Sequence, residues 1–177
     1  AVNSYDAKAN FIAGNLYRAN GKWHDGREAF GWAVRSMAFR SSGFAQMAEI
    51  YLIEKQWSKT IHYAKQALDF NRFNMNALQV LAIANRKLGH SAEAKKWIDH
   101  LLRIDPLHHF AYLEMQFMDP SDKNSDRFHG SIKNEFPEQT YLELAISYFN
   151  RGLKEEALET LKRQTHSMAV LWTAFLV

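Results

Sequence analysis

The chain has 177 residues, 47% hydrophobic and 23% charged, with no cysteine, three prolines and eight glycines. That length can bury a core without staples, and the missing cysteine removes disulfide frameworks, thiolate zinc sites and a cysteine nucleophile while leaving the compartment, cytoplasmic or exported, open. The net charge of +3 hides an uneven spread, with 15 Lys and Arg against 9 Asp and Glu in residues 1–108 and 7 against 10 in residues 109–177. The basic residues stand almost singly, as on solvated helix faces, so no nucleic-acid partner is expected. No apolar run reaches the roughly 18 residues that a membrane-spanning helix needs, and none is expected. The chain starts at Ala1 without a methionine or leader and ends on an apolar Ala-Phe-Leu-Val, so it is expected to be a fragment of a longer protein.

Laid on itself at an offset of 34, the sequence stacks Gly14, Ala48 and Ala82, then Tyr17, Tyr51 and Asn85. The same register aligns Trp23, Trp57 and Ser91; Gly26, Thr60 and Ala94; Phe30, Ala64 and Ile98; and Ala33, Ala67 and Leu101. Small residues at matched positions let two helices approach closely. Asp105-Pro106 closes the third copy, since proline cannot continue the preceding helix. The units are therefore 7–40, 41–74 and 75–108, each a pair of helices. Within Ala77 to Leu88, the apolar residues Leu78, Leu81, Ala82 and Leu88 mark one helix face. Asn20-Gly21, Leu88-Gly89 and Arg151-Gly152 supply glycine for left-handed helix ends.

Beyond residue 108 the spacing shortens to 29. His109 to Met118 reads as a first helix, Asp119-Pro120-Ser121-Asp122 as a turn, and Ser125 to Glu135 as a short second helix stopped by Pro137. In this unit, 109–137, Gln116 and Asp119 stand where the small and aromatic residues would be. A further unit, 138–166, carries Leu144, Ala145, Tyr148, Gly152, Ala157 and Leu161, and 167–177 fits the first helix of a half-unit. The reading is an array of about eleven helices and no strand, in which stacking makes a continuous core that no unit could build alone.

These residues resemble the tetratricopeptide repeat, whose pattern runs Trp-x2-Leu-Gly-x2-Tyr, Ala-x3-Phe, Ala, Pro. Leu78, Leu81, Ala82, Ala94, Ile98, Leu101 and Pro106 of the third copy keep most of it. The first copy keeps Gly14, Tyr17, Phe30 and Ala33 but has Asn10 and Ala13 at the leading apolar positions. The second has Arg72 in place of the proline. The resemblance implies an all-α, right-handed superhelical solenoid of antiparallel helix pairs. It also implies that the first helices line a concave groove for a peptide or protein segment.

Counted from each unit start, the groove residues that the resemblance implies are Lys8, Phe11, Asn15 and Arg18, then Ser42, Ala45, Gln46, Glu49 and Leu52, then Asn76, Gln79, Val80, Ile83 and Arg86. The fifth unit adds Leu142, Glu143, Ile146 and Phe149. A subclass of the family clamps chaperone carboxylates with Lys and Asn at set positions, and of these only Asn15 is present, so that ligand is excluded. Arg18 and Arg86 are candidate anchors for acidic groups. A second resemblance rests on Asp105 to Ala111 and on Asn134 to Ala145. It is to large bacterial proteins with an upstream β-rich domain of unknown function, and it implies a structural arm for a carbohydrate-related protein, with a neighbouring domain of the same chain as occupant.

Catalytic and metal patterns are not found. Of eight histidines, His100, His108 and His109 form the densest group, yet adjacent residues on a helix point about 100° apart and do not readily share a metal. Glu155, Glu156 and Glu159 suit the start of a helix, where negative charge meets the positive end of the dipole. Trp23 and Trp57, recurring at the first position of a second helix, read as packing. The function expected is non-catalytic scaffolding, with no cofactor.

Overall fold

The computed structural model describes residues 6–133, 136–163, 171–173 and 175. Among them there is no strand. The helices are α1 (Ala7–Ala19), α2 (Trp23–Ala33), α3 (Arg40–Ile53), α4 (Trp57–Phe70), α5 (Met75–Lys87), α6 (Ser91–Ile104), α7 (His109–Met118), α8 (Asp122–Ser131), α9 (Pro137–Asn150) and α10 (Lys154–Lys162), with a 3-10 turn at Met37–Phe39 before α3. Of the half-unit expected at 167–177, residues 171–173 are helical and most of the remainder lies outside the described residues. The fold is an all-α helical repeat, in two compact units, Ala1–Ile104 and Asp105–Val177.

In the first unit α1 packs on α2, α3 on α4 and α5 on α6, each pair also touches the next, and α3 lies beside both α1 and α5. The sequence alignment at 34 residues explains why. Ala48, Ala82, Thr60, Ala94, Ala64, Ile98, Ala33, Ala67 and Leu101 are all fully buried, and Gly14 and Gly26 lie buried at the same positions of the first pair. Phe30 fills the space that glycine leaves: a Cβ on Gly14 would stand 2.6 Å from its Cε1. A Cβ on Gly43 would stand 2.5 Å from Val34 Cγ1. Phe30, Met47 and Ile50 form a core cluster onto which Phe11, Trp23, Phe44 and Tyr63 pack.

The helix pairs reverse through one recurring motif. Gly21, Gly89 and Gly152 adopt φ of 71°, 74° and 73°. The next residue donates back to the helix, Lys22 N to Tyr17 O at 2.9 Å, His90 N to Asn85 O at 2.9 Å and Leu153 N to Tyr148 O at 3.0 Å, satisfying carbonyls that the helix end leaves open. The second pair makes the same reversal, Gln56 N to Tyr51 O at 2.8 Å, but its left-handed residue is Lys55, at φ 57°. Asp6 and Asn74 cap the first helices of two pairs, accepting from Ala9 N at 3.0 Å and Ala77 N at 3.1 Å.

In the second unit α7 packs on α8 and on α9, and α9 on α10. Helix α8 begins at Asp122 rather than Ser125, because Ser121 holds the extended N-cap conformation, and it ends at Ser131, where Ile132 turns extended at ψ 112°. Pro137 does not stop α8; it opens α9 from the first helical turn, where its missing N–H costs nothing. Glu135 lies outside the described residues. The core here is aromatic, with Tyr148 stacked on Phe110 at 5.7 Å and Phe128 edge-on to Tyr141 at 5.3 Å. Tyr148 Oη donates to Glu114 Oε1 at 2.7 Å inside it.

Candidate functional site

The residues expected to receive a partner on α1, α3 and α5 divide by environment. Lys8 is exposed, and Asn15, Arg18, Gln46, Asn76, Gln79 and Arg86 are half-buried. Ala45, Leu52, Val80 and Ile83 are buried and belong to the interior. Phe11 does too in large part: its ring meets Phe30 at 5.6 Å and Phe39 at 5.2 Å, because the leading apolar position missing at Asn10 is made up by packing one residue later. Asn10 itself is buried, with Nδ2 donating to Asp6 O at 2.9 Å.

Arg18 and Glu49, both expected on the binding face, pair with each other across α1 and α3. Glu49 is nearly enclosed, so the pair neutralises a carboxylate that burial alone would disfavour, and Arg18 is thereby committed within the chain rather than held out for an acidic ligand. A second pair, Arg27 Nη1 to Glu54 Oε2 at 2.7 Å, ties α2 to the end of α3, and Gln56 Nε2 donates to the same oxygen at 2.9 Å.

Amide side chains remain along the three first helices. Asn15 Nδ2 donates to Phe11 O at 3.0 Å, and Ser42 Oγ donates to Phe39 O at 3.3 Å. Gln46 Oε1 on α3 is shielded from solvent. Gln79 and Asn76 occupy the matching helix α5.

In the second unit Leu142, Ala145, Ile146, Phe149, Leu161 and Trp172 line a shallow apolar depression. Glu143, placed on that side by its spacing, accepts from Gln139 Nε2 at 2.8 Å. Ile146 and Phe149 are exposed.

The histidines do other work. Burial pulls the His108 imidazole below its ordinary range, with Asp105 acting in the opposite direction, and its ring stands edge-on to Phe110 at 6.1 Å. His109 Nε2 lies 3.2 Å from Ser131 O. Burial, with Arg103 and Arg72 adding to it, also lowers His100. Among the described residues no three His, Asp or Glu side chains gather as a metal site, and no helix is long and apolar enough to cross a membrane.

The sequence reading missed a set of exposed apolar residues at the connections between helix pairs: Met37, Phe70 and Phe73, with Ile104 and Leu107 following Phe70 and Phe73 at the same 34-residue interval. That interval was a signal available in the sequence, hidden because apolar residues at repeat spacing are ordinarily core.

No family model matches the chain, and no curated protein matches it. Solved structures do. The chain is similar to TTC0263, a thermophilic TPR protein in Thermus thermophilus, at TM-score 0.65 and 15% identity over 96% of this chain and 98% of that one. It is similar to YrrB, a TPR protein with an unusual peptide-binding site, at TM-score 0.62 and 15% identity over 97% and 93%. The Arabidopsis OM64 TPR domain matches at TM-score 0.61 and 15% identity, covering 67% of this chain and 98% of that domain. At such identity the likeness establishes the fold.

Proposed function

We propose that this chain, whose fold is that of the tetratricopeptide repeat proteins, is a non-catalytic interaction scaffold that holds an extended peptide or protein segment along α1, α3 and α5. The array is taken as units 7–40, 41–74, 75–108, 109–137 and 138–166 with a half-unit at 167–177. The observation that carries the reading is the row of half-buried amides, Asn15 on α1, Gln46 on α3 and Asn76 with Gln79 on α5. An amide offers both a donor and an acceptor, which is the chemistry an extended backbone needs. The peptide-binding site in the name of YrrB supports the same class of ligand. Arg18 and Glu49 serve this face by fixing α1 against α3, while Lys8 and Arg86 contribute positive charge at its two ends.

The test is selection from a displayed peptide library on the full chain and on the Gln46→Ala, Gln79→Ala variant. Peptides enriched by the full chain are expected to lose about tenfold or more in affinity for the variant. Equal affinity for both proteins would overturn the assignment.

A second reading makes the occupant a neighbouring domain of a longer, carbohydrate-related bacterial protein. Ile12 and Leu16, one turn apart on α1 and exposed to 50% and 61%, favour it, since an apolar pair on one helix face suits a covering domain. A longer version of the chain in which these two residues are protected from solvent labelling would bear it out, and full labelling would sink it.

A further inference from the structure

The connections between helix pairs in the first unit carry three arginines, each set against an aromatic ring. Arg35 lies over Trp32 at 3.9 Å, Arg40 over Phe70 at 5.1 Å and Arg72 over Phe73 at 4.7 Å. The rings are not interior: Trp32 is 37% exposed, Phe70 45% and Phe73 52%, and Met37 on the same connection reaches 69%. Short contacts join the two connections into one edge. Arg40 Nε donates to Val34 O at 3.2 Å, which fastens the end of α2 to the start of α3. Asn74 Nδ2 donates to Ser41 Oγ at 2.8 Å, which fastens the turn after α4 to that same start.

The composition of this edge is selective. Residues 32–41 and 69–74 hold three arginines and one aspartate, Asp69, with no lysine and no glutamate. Solvated helix faces elsewhere in the chain mix Lys with Glu and Asp, as in Glu93, Lys95, Lys96 and Asp99 of α6. Arginine, aromatic residues and methionine, with lysine and acids depleted, are the composition of the buried centre of protein interfaces. A guanidinium stacked on a ring keeps its in-plane N–H groups for a carboxylate, and the stacking holds it in place before the partner arrives. A lipid surface would be served as well by lysine, and its absence here favours a protein ligand.

The geometry points to this edge as a docking surface for an acidic protein segment that carries apolar side chains, separate from the face of the first helices. Its carboxylates meet Arg35 and Arg72, and its apolar side chains cover Met37 and Phe73. Charge complementarity sets the sign of the partner, and the exposed rings set its mixed character.

The experiment uses the full chain and a fluorescein-labelled synthetic peptide in which Asp and Glu alternate with Leu and Phe. Fluorescence anisotropy is expected to show binding that Arg35→Glu with Arg72→Glu weakens about tenfold or more, and that Met37→Ser with Phe73→Ser weakens comparably. Arg35 and Arg72 are exposed, so their replacement leaves the core in place; Arg35→Gln with Arg72→Gln gives the milder pair if helicity by circular dichroism falls. A peptide with Lys in place of the acids is expected not to bind. The Gln46→Ala, Gln79→Ala variant is expected to bind the acidic peptide unchanged. Equal affinity of the edge variants and the parent overturns the inference, as does loss of the peptide on the Gln46→Ala, Gln79→Ala variant alone. So does sedimentation of the chain with phosphatidylserine-containing vesicles, abolished by the edge variants, in the absence of peptide binding.

Discussion

Where the helices of the first unit cross, the side chains at the crossing are Gly14, Ala48 and Ala82, and the space between them is filled by aliphatic carbon and by Phe30. In the second unit the interior holds Tyr141, Tyr148 and Phe128, together with the fully enclosed carboxylate of Glu114 and the hydroxyl of Thr160. At its crossings the first arrangement is largely a matter of shape, with buried Thr60 and Asn85 bonding back to Gln56 O and Leu81 O of their own helices and Glu49 paired with Arg18. The second needs hydrogen bonds, Tyr148 Oη to Glu114 Oε1 at 2.7 Å and Thr160 Oγ1 to Glu156 O at 2.6 Å, since a buried polar group without a partner is costly. The second unit fills its interior with large rings, the hydroxyl of Tyr148 bonded inside it.

The largest expected effect breaks the shape-dependent side. Phe30→Ala should cost about 3–5 kcal/mol in urea unfolding, because the glycine at position 14 leaves no side chain to collapse into the cavity. If the loss stays below about 1 kcal/mol, Gly14 and Phe30 are not the joint that the packing makes them. Next, Tyr148→Phe keeps the ring and removes only the hydroxyl, and should cost about 1–3 kcal/mol by depriving the Glu114 carboxylate of a donor. A neutral result would place the stability of the second unit in its rings alone.

Lys55→Gly is expected to work in the opposite direction. Lys55 holds the left-handed conformation that glycine takes at the three matching reversals, and relieving it should raise stability by about 0.5–1 kcal/mol after glycine's own entropy cost. Thermal unfolding reads the gain, and a lowered midpoint would show that the Lys55 side chain contributes more than its backbone costs.

The smallest effect is the part of the pH dependence that His108 of the second unit carries. The folded state holds the His108 imidazole below its unfolded value, so the unfolded chain binds more protons as the pH falls through the ordinary imidazole range near 6.5. The contribution is therefore present above that range and lost below it. His108→Asn should flatten the stability curve between about pH 7 and 5, and an unchanged slope would assign the titration elsewhere.

The repeat was legible in the sequence because its physical cause is local and periodic: a residue at a helix crossing must be small, and Gly14, Ala48 and Ala82 are small at a fixed interval. The first residues of α2 and α4, Trp23 and Trp57, fall where the register put them for the same reason. The start of α8 was not legible, since Asp119-Pro120-Ser121 announces a turn without saying which residue caps the helix after it. Lys55 was invisible too, because lysine carries no sign of a left-handed backbone and takes it only when the packing on either side requires the reversal. On the proposed binding face, spacing put Arg18 on α1 and Glu49 on α3. What spacing could not tell was that they would meet each other, which depends on how two helices, with the paired residues 31 apart in sequence, settle side by side.

Each reversal at Gly21, Lys55 and Gly89 is closed by the same pair of backbone bonds at the same interval of 34 residues. The joints are interchangeable parts. A gene duplication that copies the stretch between two of them, residues 55–88 for example, would hand the new segment an end identical in geometry to the one it replaces, and the helices downstream would resume without a change of phase. An insertion of a few residues inside one of these helices would instead rotate the residues after it off the buried face, so whole-unit copies are the additions that leave the packing of every helix as it stands.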